Sequence, residues 1–179
     1  LKNFFYYSLY SILGRYLPIS YHIGGNFAKK TRYLFLNKYV EQCGKNVNFE
    51  RNCSITSTLK VGDNSSIGVN AVVGDYVTIG KDVMMGPNCI IYTRNHKHEI
   101  SDIPFSEQGY EDYKPVFIDD NVWIGEGVKI MPGVKINKNT VVAAGAIVTK
   151  EFPPNCIIGG NPARVLKELR WYNFRVCEL

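Results

Sequence analysis

This sequence predicts a mainly β chain built as a parallel β-helix, and three observations carry that reading. Apolar residues recur at every sixth position over most of the chain. A small or β-branched residue usually stands four places after each of them. The rhythm breaks once, over a polar stretch, and then resumes. The expected organisation is a helical, aromatic N-terminal cap over 1–48, a β-helix over 49–160 with a protruding loop at about 94–116, and a C-terminal helix over 161–179.

The cap opens with LKNFFYYSLYSILGRYLP, which is apolar and aromatic. It lacks the small-residue cleavage site of a signal peptide. It is also too short and too rich in tyrosine for a transmembrane helix, which needs about 20 apolar residues. Two uses remain. It covers the open end of the coil, or it lies on a membrane surface through Phe4, Phe5, Tyr6, Tyr7, Leu9 and Ile12. The next run, GGNFAKKTRYLFLNKYVEQCG, reads as a helix with Asn26 as N-cap and Gly44 just past its end.

The repeat begins at Phe49 and runs through Ile55, Val61, Ile67, Val73, Ile79, Met85 and Ile91. It resumes at Ile118 and continues through Ile124, Ile130, Ile136, Val142 and Val148. A period of six suits neither a helix at 3.6 nor an alternating strand at two. It suits a chain that turns a corner every six residues, so that three sides close one triangular coil and the next coil stacks upon it. The apolar head of each hexad then points inward. The Gly or Asn that follows tolerates an unusual backbone at the corner.

Between Ile91 and Ile118 lies RNHKHEISDIPFSEQGYEDYKP, polar, charged and aromatic. Long loops in compact domains are usually functional or disordered. This one holds two of the three histidines, His96 and His98. An imidazole with an ordinary pKa near 6.5 serves as a general base at neutral pH. The third, His22, lies outside the repeat and receives no role. At the C-terminus, NPARVLKELRWYNF reads as a helix with Asn161 as N-cap and Pro162 at its first position.

Composition narrows the class. The formal net charge is +5, mildly basic and without the dense cationic stripe of a nucleic-acid binder. It suits a phosphorylated cofactor, an acidic glycan or a membrane surface. Cys43, Cys53, Cys89, Cys156 and Cys177 are scattered, with no CxxC pair, and read as reduced, buried thiols of a cytosolic protein. Cys89, near the histidines, is the alternative nucleophile. No metal site is expected.

The runs IGVNAVVGDYVTIGKDVMMGPNC and IDDNVWIGEGVKIMPGVKINKNTVVAAGAIVTKEFPPNCIIGGNPARVLKEL resemble the hexapeptide-repeat acyltransferases. Within them the match is to the maltose, galactoside and polysaccharide O-acetyltransferase group. The resemblance covers roughly Phe49–Leu169, and NVWIG through GGNPARV is its most specific part. It implies a left-handed parallel β-helix of hexapeptide repeats, against the usual right-handed crossover. It also implies a homotrimer, acetyl-CoA as donor, and an active site between adjacent subunits.

The resemblance implies roles residue by residue. His96, eight places after Asn88 of the PN dipeptide, matches the general base. Glu99 is a local candidate to orient it. Asp75, with Asn70 a looser match, stands where the family places an acceptor-binding Asp on the preceding coil; ordinary corner chemistry is the competing reading of both. The backbone N–H of Glu126 matches a donor to the thioester oxygen, at a place where the family often has Ser. Trp123 matches the wall of the thioester tunnel. Ala144, Thr149 and Lys150 match the pantetheine and nucleotide groove, and Arg164 and Lys167 match phosphate contacts, although each lone cation equally suits a solvated surface.

The expected activity is transfer of an acetyl group from acetyl-CoA to a sugar hydroxyl, in surface polysaccharide biosynthesis. A chloramphenicol-type xenobiotic acetyltransferase and an amino-sugar N-acetyltransferase are the alternatives. A β-helical carbonic anhydrase needs three clustered histidines, and a non-catalytic scaffold needs a flat repetitive face; neither suits this chain. The expected location is the cytoplasm, with the N-terminal segment a candidate for peripheral contact at the inner face of the membrane.

Overall fold

The computed structural model describes residues 2–170. Its body is a three-sided coil of 18 residues per turn, since Gln42 pairs with Lys60, Asn48 with Ser66 and Val72 with Ile90, all in parallel. The first face stacks Gln42–Cys43, Lys60–Val61, Val77–Ile79, Val116–Ile118 and Lys135–Ile136. The second carries Asn48–Phe49, Ser66–Ile67, Met84–Met85, Trp123–Ile124, Val141–Val142 and Cys156–Gly160. The third stacks Val72–Val73, Ile90–Ile91, Lys129–Ile130 and Ile147–Val148.

The hexad rhythm is the interior of this prism. Every apolar head from Phe49 to Val148 is buried, and so is the residue four places on, Ser65 and Thr140 included, except after Ile91, where Asn95 already belongs to the exposed excursion. Each buried Ile or Val contributes about 1.5–3 kcal/mol, so the ladder of heads dominates the stability of the coil.

The corners correct one expectation. The glycine after a head does not adopt a positive φ there. Its hydrogen makes room for the next coil: a Cβ on Gly62 would lie 2.7 Å from the carbonyl carbon of Gly80, and one on Gly68 would collide with the carbonyl oxygen of Gly86. The left-handed backbone falls two places later, on Asn52, Asn64, Asn70, Asn88, Asn121 and Asn139, with φ between 55° and 59°. Asn tolerates that region better than most side chains. Its amide also joins coil to coil, as from Asn52 Nδ2 to Asn70 Oδ1 at 2.8 Å and from Asn70 Nδ2 to Asn88 Oδ1 at 3.1 Å.

The N-terminal cap contains helices α1 (Lys2–Ile12) and α2 (Gly25–Leu36). Helix α2 is shorter than expected. Gly24, with φ 80°, precedes it in place of an Asn26 cap, and Asn37 closes it. Gly44 lies well beyond, because Gln42–Cys43 is already a strand and the Gly44 N–H donates to Val61 O at 2.8 Å. The coil therefore starts one hexad before Phe49; sheet bonds capture a segment whose sequence is compatible with helix.

A buried polar network locks the cap onto the first coil. Arg32 is fully buried and reaches Glu50 at 3.4 Å, Pro18 O at 2.9 Å and Phe49 O at 2.5 Å. Burial alone would raise the Glu50 carboxyl, but its bonds from Ser20 and Asn48 and the nearby guanidinium hold it below the ordinary value. The Tyr10 hydroxyl donates to Cys53 O at 2.7 Å.

The far end also departs from expectation. Of the helix expected over 161–179, residues 171–179 lie outside the described residues, and the earlier part is extended. Ala163–Glu168 turns back at Asn161–Pro162 and pairs antiparallel with Cys156–Gly160. Pairing satisfies the backbone groups of the last strand edge, which a helix would have left open.

Candidate active site

The polar loop leaves the corner between the third and first faces. Met84 pairs with Trp123 and Ile90 with Lys129, 39 residues apart, so the excursion inserts 21 residues into one coil. Lys114 N–H donates to Thr93 O at 2.7 Å and closes its root. Its limbs form a narrow hairpin: Lys97 N–H donates to Gly109 O at 3.1 Å and Glu111 N–H to Asn95 O at 2.9 Å, with His96 opposite Tyr110. Gln108 closes the tip, accepting from Glu99 N–H at 2.9 Å and donating to Ile103 O at 2.7 Å.

This folding brings His96 and Asp75 to one corner. The His96 ring packs on Tyr110 with centroids 4.0 Å apart. The Arg94 guanidinium covers both Tyr110, at 4.0 Å, and Tyr113, at 4.6 Å. The Tyr113 hydroxyl donates to Asp75 Oδ2 at 3.1 Å, and Thr58 donates to Asp75 Oδ1 at 3.3 Å. That bond to Asp75, with the carboxylate's charge, pushes the Tyr113 hydroxyl above its usual value. A row of stacked cation and aromatic rings thus runs from the base candidate to the acceptor-binding candidate. Sequence reasoning missed Arg94, Tyr110 and Tyr113. Their only signal was the aromatic spacing in GYEDY and an Arg two places before the histidine.

Glu99 does not orient His96. Its backbone is held by Gln108, and the imidazole has no hydrogen-bond partner among the described residues, so the Tyr110 stack sets its plane. His98 is exposed on the loop, with Nδ1 3.3 Å from the backbone oxygen of His96 and 3.9 Å from Glu111. Asn70 sits at a different corner, between the second and third faces, inside the ladder of Asn52 and Asn88. The corner-chemistry reading accounts for it fully. Cys89 shares that corner; burial raises its thiol, which donates to Gly125 O at 3.1 Å. It carries no sign of an activated nucleophile.

Of the donor-side candidates, only Glu126 and Ala144 lie at that second corner. Neither Glu126 N–H nor Ala144 N–H has an acceptor among the described residues. The coils are pressed together there: a Cβ on Gly125 would lie 2.6 Å from Ala144 N. The Glu126 carboxylate instead takes a bond from Asn88 Nδ2 at 3.1 Å. Trp123 is half exposed on the second face, between Met84 and Val141. Arg164 and Lys167 lie exposed on the strand that extends this face. Thr149 and Lys150 follow the third face and belong to the His96 corner, with Lys150 Nζ 5.6 Å above the Phe152 ring. The residues present fit an extended ligand carrying carbonyls and phosphates: two free N–H donors, an aromatic wall and exposed cations. Among the described residues no three His, Cys, Asp or Glu groups gather to hold a metal ion.

Comparison with known proteins agrees with this architecture. Residues 115–150 match a family model described as bacterial transferase hexapeptide (six repeats), and 58–74 match the hexapeptide repeat of succinyl-transferase. The chain is 34% identical over 137 residues to a galactoside O-acetyltransferase of Lactococcus lactis, covering 76% of this chain and 60% of that one. Across four curated relatives it spans between 41% and 60% of their lengths. Among solved structures, a maltose O-acetyltransferase from Clostridium difficile superposes with a TM-score of 0.78 at 32% identity, covering 95% of this chain and 87% of that one. A galactoside acetyltransferase in complex with coenzyme A gives 0.75 at 27% identity, covering 99% and 88%. The coil is accordingly left-handed. By its repeat, its fold and these relatives, the chain belongs to the hexapeptide-repeat acyltransferase family, alongside the maltose and galactoside O-acetyltransferases.

Proposed function

We propose that this chain transfers an acetyl group from acetyl-CoA to a hydroxyl of a sugar acceptor, by direct attack, with His96 as general base. The observation that supports the reading is the chain of contacts through Tyr110, Arg94 and Tyr113 that links the His96 ring to Asp75 at one corner. In the proposed reaction the imidazole takes the proton of the acceptor hydroxyl while Asp75 accepts a hydrogen bond from a neighbouring hydroxyl of the sugar. Acetyl-CoA, as co-substrate, supplies an activated acyl carbon; as the acceptor oxygen bonds to it the thioester C–S bond breaks, and the His96 imidazolium returns its proton to the departing thiolate. In this reading the unpaired Glu126 N–H donates to the oxygen that gains charge there. Lys150, Arg164 and Lys167 offer charge to its phosphates.

The assembly belongs to the same proposal. Within one chain the His96 corner and the Glu126 corner lie at opposite edges of the third face, so a complete site requires a second copy. A homotrimer, with sites between neighbours, meets that need. The acceptor class we favour is a surface polysaccharide or its precursor, which suits the long polar excursion at the acceptor corner.

Kinetics with one working acceptor, chosen from a glycan panel by acetyl mass gain, test the reading. His96→Ala should lose about 10²–10⁴ in kcat with acetyl-CoA affinity unchanged, whereas His98→Ala should lose less than about tenfold. A dead His98→Ala beside a live His96→Ala would assign the base wrongly. Full activity in a particle with the mass of one chain would remove the trimer.

A further inference from the structure

We propose that the N-terminal cap is a docking surface for an anionic phospholipid bilayer. The first observation is charge. Residues 1–40 contain six Lys or Arg and no Asp or Glu, whereas the whole chain has 21 and 16. The remaining residues therefore hold 15 basic and 16 acidic groups, and the entire net positive charge resides in the cap. Of the six, Arg32 is committed to Glu50 and Lys29 donates to Asn46 Oδ1 at 3.0 Å. Lys30 and Lys38 stand exposed.

The second observation is what surrounds those charges. On α1 the residues Phe4, Phe5, Ser8 and Ile12 share the side opposite the buried Tyr10, by helical spacing. Phe4 is 75% and Ile12 70% exposed. On α2 the residues Phe27, Lys30, Thr31 and Leu34 face away from the buried Ala28, Arg32 and Leu36, with Phe27 70% and Leu34 58% exposed. The two hydroxyls in these outer faces do not reach for solvent. Ser8 Oγ donates to Phe4 O at 3.0 Å and Thr31 Oγ1 to Phe27 O at 2.9 Å. The stripe that α1 turns outward is thus apolar, and that of α2 sets Phe27 and Leu34 around Lys30, with the hydroxyls of both satisfied by their own backbones. Tyr16, Tyr21 and Ile23 add exposed rings and an aliphatic between the helices.

Capping the coil uses the inner sides, through Tyr10, Lys29, Arg32 and Tyr33. The outer sides pair aromatic and aliphatic groups with uncompensated cations, the combination that binds the interfacial zone of a bilayer and is drawn there by anionic headgroups. No helix among the described residues is long and apolar enough to cross a membrane, so the contact is peripheral. The occupant is the lipid surface itself, which would hold the acceptor corner near membrane-borne glycans.

Flotation of the full chain with phosphatidylcholine vesicles, with and without phosphatidylglycerol, tests this. Binding should require phosphatidylglycerol and weaken with salt. Lys30→Glu with Lys38→Glu should reduce the partition coefficient more than about tenfold. Phe4→Ser with Phe27→Ser should reduce it similarly while acetyl-CoA binding and melting midpoint stay unchanged. Equal binding to both vesicles would overturn the electrostatic half of the proposal. No binding to either would overturn all of it. If the Phe4→Ser, Phe27→Ser variant instead changes the native mass and not the flotation, the face is an interface between copies and the proposal fails.

Discussion

Glu126→Pro isolates a single hydrogen-bond donor. Ile124 stacks on Met85 in register, so the position beneath Glu126 on the preceding coil is Pro87. That coil accommodates proline in the same setting, after a glycine and before a left-handed Asn88. At Glu126 the corresponding left-handed residue is Gly127, φ 68°, and the Glu126 N–H has no acceptor among the described residues. Proline there deletes the N–H without breaking a backbone bond. At compatible sites such a change stabilises by about 0.4–1 kcal/mol, against loss of the exposed Asn88–Glu126 contact. The melting midpoint should therefore move by less than about 4 °C. If the N–H stabilises the charged oxygen, kcat should fall about 10²–10³-fold, or ~2.7–4 kcal/mol. Glu126→Ala keeps the N–H and should retain activity. The assay is acetyl transfer by both variants at saturating acetyl-CoA, with unfolding measured in parallel. A folded, fully active Glu126→Pro would refute the donor role, and an inactive Glu126→Ala would move the function to the carboxylate.

Arg32→Met should destabilise the cap by about 3–5 kcal/mol, because Glu50 is left charged and buried; the midpoint should drop by about 6–20 °C, and adding Glu50→Gln should recover part of it. Glu50 is held below its unfolded value, so its contribution is complete above the unfolded pKa and is lost as pH falls through the folded one. Glu50→Gln should therefore flatten the acid limb of the stability profile, and an unchanged limb would discount the network. Lys150→Ala with Arg164→Ala should weaken acetyl-CoA binding about tenfold and soften its salt dependence; unchanged calorimetry would place neither residue in the groove.

The sequence by itself determined the coil. A hexad is a local unit, and fourteen apolar heads at a common spacing leave one way to bury them all. The break in the rhythm likewise marked the excursion, and its two histidines marked the chemistry. The ends were not legible in the same way. Gln42–Cys43 and Ala163–Glu168 carry composition compatible with helix, yet unpaired strand edges beside them recruit both segments into sheet. Only the tertiary structure separated Asn70 from Asp75. Five residues apart in sequence, they turn at different corners, one into an asparagine ladder and the other toward Tyr113, 38 residues on. Only the tertiary structure set Tyr110 against His96 and Arg94 over Tyr110. Those contacts depend on how a non-repeating hairpin folds back on itself, and such contacts have no period for a sequence to display.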